Sequence, residues 1–283
     1  MSSRGWALFI ALGIIWGMPY LLIRIAVAEV DPLVVAFGRT LIGSLLLLPV
    51  AAYRRQLAPA FTRFGPLLAF TFVEINGPWL AIGYAETRLN SSTTGLLVAM
   101  VPLFAAIVVS VLGHERLPPR RVTGLAIGFA GVATLAGLDI HFDDYGALAA
   151  LTLAAIGYGI GPVIVDRKLR GVPPLGVITA SLILATVIYA PFAPMLWPAH
   201  VSSGAAWSVA GLGVICTATA FVIFFALIAD VGPARATVIA YVNPVVAMIL
   251  GVLLLSEPLT LGMAIGFPLV IVGSILATSR GGK

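Results

Sequence analysis

Glu74 stands in the middle of an apolar run, followed two residues on by Asn76 and then by Gly77, Pro78 and Trp79. Holding a full charge at the centre of a membrane-spanning helix costs roughly 2.5 to 3.5 kcal/mol on insertion scales, so this carboxyl should be neutral, paired or exposed to a water-filled interior. It will not face lipid. A carboxyl so placed can carry a proton or meet a substrate amine; the alternative is a structural hydrogen bond to the helix break at Pro78. Two residues turn about 200° of a regular helix, so Glu74 and Asn76 point apart there, whereas Asn76, Trp79 and Gly83 share one stripe. Further aromatic residues fall at spacings that suit a common pocket: Trp16 and Tyr20 four apart, Tyr158, Phe221 with Phe225, and Tyr241. Each can offer a face to a planar or cationic solute, and each can equally serve packing. The candidate substrate-binding set is Trp16, Tyr20, Glu74, Asn76, Trp79, Tyr158, Phe221 and Tyr241.

Interior prolines add a second signal at Pro19, Pro78, Pro102, Pro162, Pro244 and Pro268. Each removes one helix hydrogen bond, leaving the carbonyls of Ile15, Glu74, Val98, Tyr158, Ala240 and Ala264 without their usual partners. In hydrocarbon such a group needs another helix, a side chain or water, which directs several breaks toward a shared interior; kinking for packing is the alternative. Arg39, near the start of its apolar run, is expected to snorkel to the outer surface or pair with a carbonyl, a structural role. Glu115 and Glu257 occupy matched turns and are expected to anchor hairpins.

These residues form no catalytic or metal-ligating constellation. His114, His141 and His200 all fall in connections, and Cys216 is the single cysteine, which excludes an intramolecular disulfide and a paired-thiol metal site. No Gly-rich phosphate loop with Lys and Ser/Thr occurs, so no cofactor is implied, and energy has to come from a gradient of substrate or of protons.

The elements that position these residues follow from composition. Hydrophobic residues make up 60% of the 283, charged residues 10%, and the mean hydropathy is +1.10, which excludes an ordinary soluble domain. A bilayer span needs roughly 20 apolar residues. Runs bounded by breakers lie at 5–27, 33–53, 65–84, 91–111, 119–137, 145–165, 174–196, 205–227, 233–255 and 261–278, which predicts an all-α integral membrane protein of ten transmembrane helices. Arg4 and the small residues after the first run resemble a signal peptide, but the run exceeds the apolar core of one. The net charge of +5 is read as a topology signal and not as nucleic-acid binding. With a cytoplasmic N-terminus, 13 of the 16 Lys and Arg residues, Arg54, Arg55, Arg120, Arg121, Arg167, Lys168 and Arg170 among them, lie on the cytoplasmic side. Both termini are then cytoplasmic, and the chain is a multi-pass protein of the inner cell membrane; nothing in the sequence requires more than a monomer.

Sliding the chain against itself by 142 residues aligns Gly17 with Gly159, Pro49 with Pro191, Pro102 with Pro244 and Glu115 with Glu257. Between Pro102 and Gly131, 8 of 30 positions are identical at that offset. The chain therefore divides into two five-helix repeats, 1–141 and 142–283. An odd number of spans per repeat inverts the second relative to the first, an arrangement suited to alternating access.

The residues that carry this duplication also resemble a known family. Asp31-Pro32 followed by Arg39, and Pro102 with Leu112-Gly113-His114-Glu115-Arg116-Leu117, Gly124 and Gly131, resemble the drug/metabolite transporter superfamily, EamA type. The second half repeats the pattern at Pro244, Leu255-Ser256-Glu257-Pro258-Leu259, Gly266 and Gly273. Within that group the chain is similar to exporters of the YddG type, associated with aromatic amino acids and dicationic aromatic drugs. The resemblance implies a secondary carrier whose cavity is lined mainly by the first, third, fourth, sixth, eighth and ninth spans. Two rival classes remain: a receptor or assembly subunit that moves nothing, which would not need inverted repeats with broken helices, and an intramembrane enzyme, which would need a nucleophile and base, paired aspartates or metal ligands at membrane depth.

Overall fold

The computed structural model describes residues 2–113, 118–139, 144–232 and 236–278. His114, Glu115, Arg116, His141, Arg235, Arg280 and Lys283 lie outside the described residues.

Every regular element among the described residues is a helix. Ser2 caps α1 (Ser3–Val27) by accepting the Gly5 amide at 2.8 Å, and Asp31 caps α2 (Pro32–Tyr53) through the Leu33 amide. Pro32 opens α2, where its missing N–H is no loss. Two short pieces, α3 (Leu57–Phe61) and α4 (Phe64–Phe70), lead through a π-helical segment, Thr71–Asn76, into α5 (Gly77–Glu86). Asn90 accepts the Thr93 amide at 2.7 Å to start α6 (Ser91–Val98), which breaks at Ala99 and Met100 before α7 (Val101–Gly113). The Ser274 hydroxyl donates to the Ala99 carbonyl at 3.4 Å, so a side chain serves this break. Next come α8 (Pro119–Asp139), α9 (Tyr145–Lys168), α10 (Pro174–Tyr189) and α11 (Ser203–Gly213). A second π-helical segment, Val214–Thr219, joins α11 to α12 (Ala220–Val231). A 3-10 turn, Thr237–Tyr241, precedes α13 (Asn243–Leu255), and α14 (Leu261–Thr278) ends the series.

Seven helices or continuous helix pairs among the described residues are long and apolar enough to cross a membrane. Leu45, Leu153 and Trp207 point outward from such helices, and Val187 and Leu253 from two shorter apolar ones, presenting a surface suited to hydrocarbon, not water. In the run expected over 174–196 the α-helix ends at Tyr189, since Pro191 has no backbone N–H to continue the hydrogen-bond ladder. The runs over 65–84 and 205–227 contain the two π segments, which apolar periodicity does not reveal.

Helix pairing is reciprocal between the halves. α2 packs on α10 and α8 on α14, while α1 lies against α13 much as α9 lies against α7. Likewise α9 packs on α5, and α1 on α11 and α12. The α8–α14 seam is antiparallel, with Gly124 near Gly273 and Ala277, and Gly131 near Gly266 and Val270. A β-carbon at any of these four glycines would collide with the opposing backbone, so small residues are what allow the two helices to approach.

At one end of the bundle the Glu257 carboxylate accepts from the Ser91 amide and hydroxyl at 2.8 and 2.9 Å and from those of Ser92 at 2.9 and 2.5 Å. Glu257 thus braces the start of α6, across the halves, as well as the end of its own helix. Nearby, Arg24 donates to the Glu86 carbonyl. The Ser202 amide donates to Glu29 at 2.9 Å and, with the Ser202 hydroxyl, holds that exposed carboxyl below the usual carboxylate range.

Candidate substrate site

The centre of the bundle is organised by Arg39. Its guanidinium does not reach the surface as a snorkelling side chain would: Arg39 is 8% exposed, its Nε donates to the Thr217 hydroxyl at 2.9 Å, and its central carbon lies 3.6 Å from the centroid of the Trp79 ring. Trp79 comes from the third apolar run and Thr217 from the eighth, so one cation joins both π-bearing segments. A desolvated guanidinium over an indole face gains about 2 kcal/mol, well short of the several kcal/mol that removing the charge from water costs. The Thr217 hydroxyl is itself oriented, since it donates to the Leu212 carbonyl at 2.8 Å. No carboxylate among the described residues pairs with Arg39, and the ion pair of Arg170 with Asp166 lies on the surface.

Around this cation the structure gathers Tyr20, Asn76, Trp79, Tyr158, Tyr189 and Cys216 from six different helical segments. Pro78 cannot donate a backbone hydrogen bond, and just before it the Gly77 amide reaches back five residues to Phe72, closing the π turn that carries Glu74 and Asn76. Tyr189 donates to the Asn76 carbonyl at 2.7 Å and steadies that turn. The Asn76 carboxamide has no partner for either its oxygen or its nitrogen, though both atoms are sealed from solvent. The Glu74 Oε2 is likewise sealed and unpartnered, pressed against Gly161 of α9, where a β-carbon would overlap it. Tyr158, three residues before Gly161 on α9, packs against the buried cluster that contains Trp79.

The remaining candidates divide. Trp16 packs against Phe224 at 4.9 Å and edge-on to Phe221 at 6.1 Å, and Phe221 stacks on Phe225 at 6.2 Å, forming an aromatic wall beside the group. Tyr241 is not brought to Arg39; its hydroxyl pairs with that of Thr278 at 3.0 Å, in the last turn of α14. Two open grooves run along α9, one lined by Val109 and Val163 together with Asp166 and Arg167 and the other by apolar residues such as Phe72 and Leu153, and neither includes Arg39 or Trp79. They are helix-packing furrows, and the chemistry lies inside.

Arg39 is the residue that sequence reasoning placed outside the site. A signal was present: it is a full positive charge within an apolar run, with no acid one helical turn away. Thr217, its partner, is 178 positions distant and carries no mark of its own in the sequence.

A profile of the EamA-like transporter family matches residues 3–137 and again residues 145–279. The chain is 29% identical to the uncharacterized inner membrane transporter YedA of Escherichia coli over 96% of its own length and 89% of the relative's. It is 27% identical to the uncharacterized transporter YvbV of Bacillus subtilis, covering 99% and 93%. A probable terminal-alkyne amino-acid exporter of Streptantibioticus cattleyicolor is 23% identical, with 99% and 95% covered. A crystal structure with 22% identity superposes at a TM-score of 0.66 over 98% of both chains, which shows a shared fold.

Proposed function

The chain belongs to the EamA-like transporter family, and we propose that it is a secondary exporter of amino acids with aromatic side chains, working by alternating access. The observation that carries this reading is the Arg39 group: a buried cation, an aromatic face and unpartnered polar atoms on Asn76 and Glu74, assembled between the two halves. Such a set suits a small polar solute with a planar side chain, since a ligand would supply the partners the protein lacks. The probable terminal-alkyne amino-acid exporter among the relatives supports the amino-acid part of this reading. Organic cations fit less well, because Arg39 already covers the Trp79 face on which they would rest.

The proposed architecture is ten spans in two inverted repeats, 1–141 and 142–283, with both termini cytoplasmic in an inner membrane. Supporting it are the 142-residue offset, the reciprocal helix pairing and the antiparallel α8–α14 seam. Uptake by purified protein in liposomes, across amino acids, nucleobases and aromatic cations and with or without a pH gradient, tests the function. Faster entry of nucleobases or cations than of phenylalanine would overturn the substrate assignment. Glu74→Gln keeps hydrogen bonding but cannot release a proton. We expect it to change gradient-driven uptake and exchange together, as befits a group that acts on substrate and not as a proton carrier. A variant that exchanges normally and fails only under a pH gradient would assign the proton to Glu74.

A further inference from the structure

Resting on the amino-acid reading, we infer that Arg39 and Glu74 are the two poles of a clamp for a zwitterion, Arg39 taking the α-carboxylate and Glu74 the α-ammonium of one substrate molecule. Arg39 uses one donor, its Nε, on Thr217, and among the described residues its two terminal nitrogens meet no carboxylate and make no hydrogen bond. A guanidinium binds a carboxylate through two parallel N–H bonds. Thr217 from the side and Trp79 from the face fix the plane of this fork and leave its outer edge available.

Glu74 is the complementary case. Among the described residues no Lys, Arg or His side chain pairs with it, and its sealed Oε2 accepts no hydrogen bond. Arg39 and Glu74 form no ion pair with each other, yet Glu74 sits in the π turn five residues before Trp79, on whose ring Arg39 rests. A guanidinium and a carboxyl buried apart, each short of partners, are costly to hold. An α-amino acid carries the two complements on adjacent atoms and can satisfy both at once, while Asn76 offers a further donor and acceptor. The clamp therefore requires both charged groups of the substrate, and neither an amine lacking a carboxylate nor an acid lacking an amine satisfies it.

The test is exchange of labelled phenylalanine by purified protein in liposomes, competed by phenylalanine, by phenylalaninamide, which lacks the carboxylate, and by N-acetylphenylalanine, which lacks the ammonium. Each analogue should compete at least about 30-fold more weakly than phenylalanine, the scale of one lost charge-assisted partner. Arg39→Gln should erase the preference over the amide alone, and Glu74→Gln the preference over the N-acetyl compound alone, a crossed pattern that a merely structural role does not produce. Equal competition by all three at the unaltered protein overturns the clamp and leaves the carrier reading standing. Absence of exchange for any amino acid overturns both. Where Arg39→Gln fails to fold, the analogue series on the unaltered protein decides alone.

Discussion

The two π-helical segments share a backbone form and differ in what their side chains have left to offer. Thr71–Asn76 presents a carboxyl and a carboxamide with unpartnered atoms, whereas in Val214–Thr219 the Thr217 hydroxyl both donates to Leu212 and accepts from Arg39. Glu74 has Cys216 as its counterpart at the 142-residue offset. Two helices are thus interrupted at matching positions along the chain, and under the proposed function one turn offers groups to a ligand while the other holds the cation. The two segments share a backbone form, and differences at one or two side chains would divide the tasks.

Giving the second segment an acid breaks this asymmetry most severely. Cys216 is buried near Arg39, so Cys216→Glu provides an internal counter-ion that competes with substrate. Transport should fall by at least about 100-fold, the scale of a buried charge pair that must be separated, while the detergent-solubilised protein melts no lower than the parent. Transport near parental levels would show that Arg39 is not a substrate contact. Thr217→Val removes the acceptor from the Arg39 Nε and should raise KM by about 10- to 100-fold. The equivalent change in the first segment, Thr71→Val, touches only a bond to the Leu67 carbonyl and should leave KM within about twofold. Equal effects of the two valines would erase the distinction drawn between the segments.

Asn76→Leu sharpens the comparison from the other side. Replacing a carboxamide whose two polar atoms are buried without partners should raise the melting temperature by a few degrees and lower transport about tenfold, stability and activity moving oppositely. A fall in both would mean that Asn76 is structural. Cys216→Ala is the mildest change, removing only a packed sulfur, and initial rates should stay within about twofold.

Much of this organisation is legible in the sequence because hydrophobic runs and their breakers are local signals. The capped starts at Asp31 and Asn90 and the outward apolar faces all follow from residues a few positions apart. Glu74, Asn76 and Trp79 could be singled out for the same reason, each being unusual at its depth. Arg39 was legible as a charge but not as a central one, since its setting depends on Trp79 and Thr217, forty and 178 positions away. The π turns are hidden as well: one extra residue per turn leaves an apolar run equally apolar. Tyr241 shows the converse, an aromatic residue at a suggestive spacing whose hydroxyl is committed to Thr278.

The α8–α14 seam has a consequence for how the protein is made. The residues of α14 that fill the glycine face of α8 follow it by about 130 to 150 positions. Translation at roughly 5 to 20 residues per second therefore leaves α8 without its partner for on the order of ten seconds. A strand could not wait in hydrocarbon with its hydrogen bonds unmade, but a helix satisfies its own backbone and can. The nascent chain thus sits in the bilayer with α8 uncovered along one side until α14 leaves the ribosome and covers it.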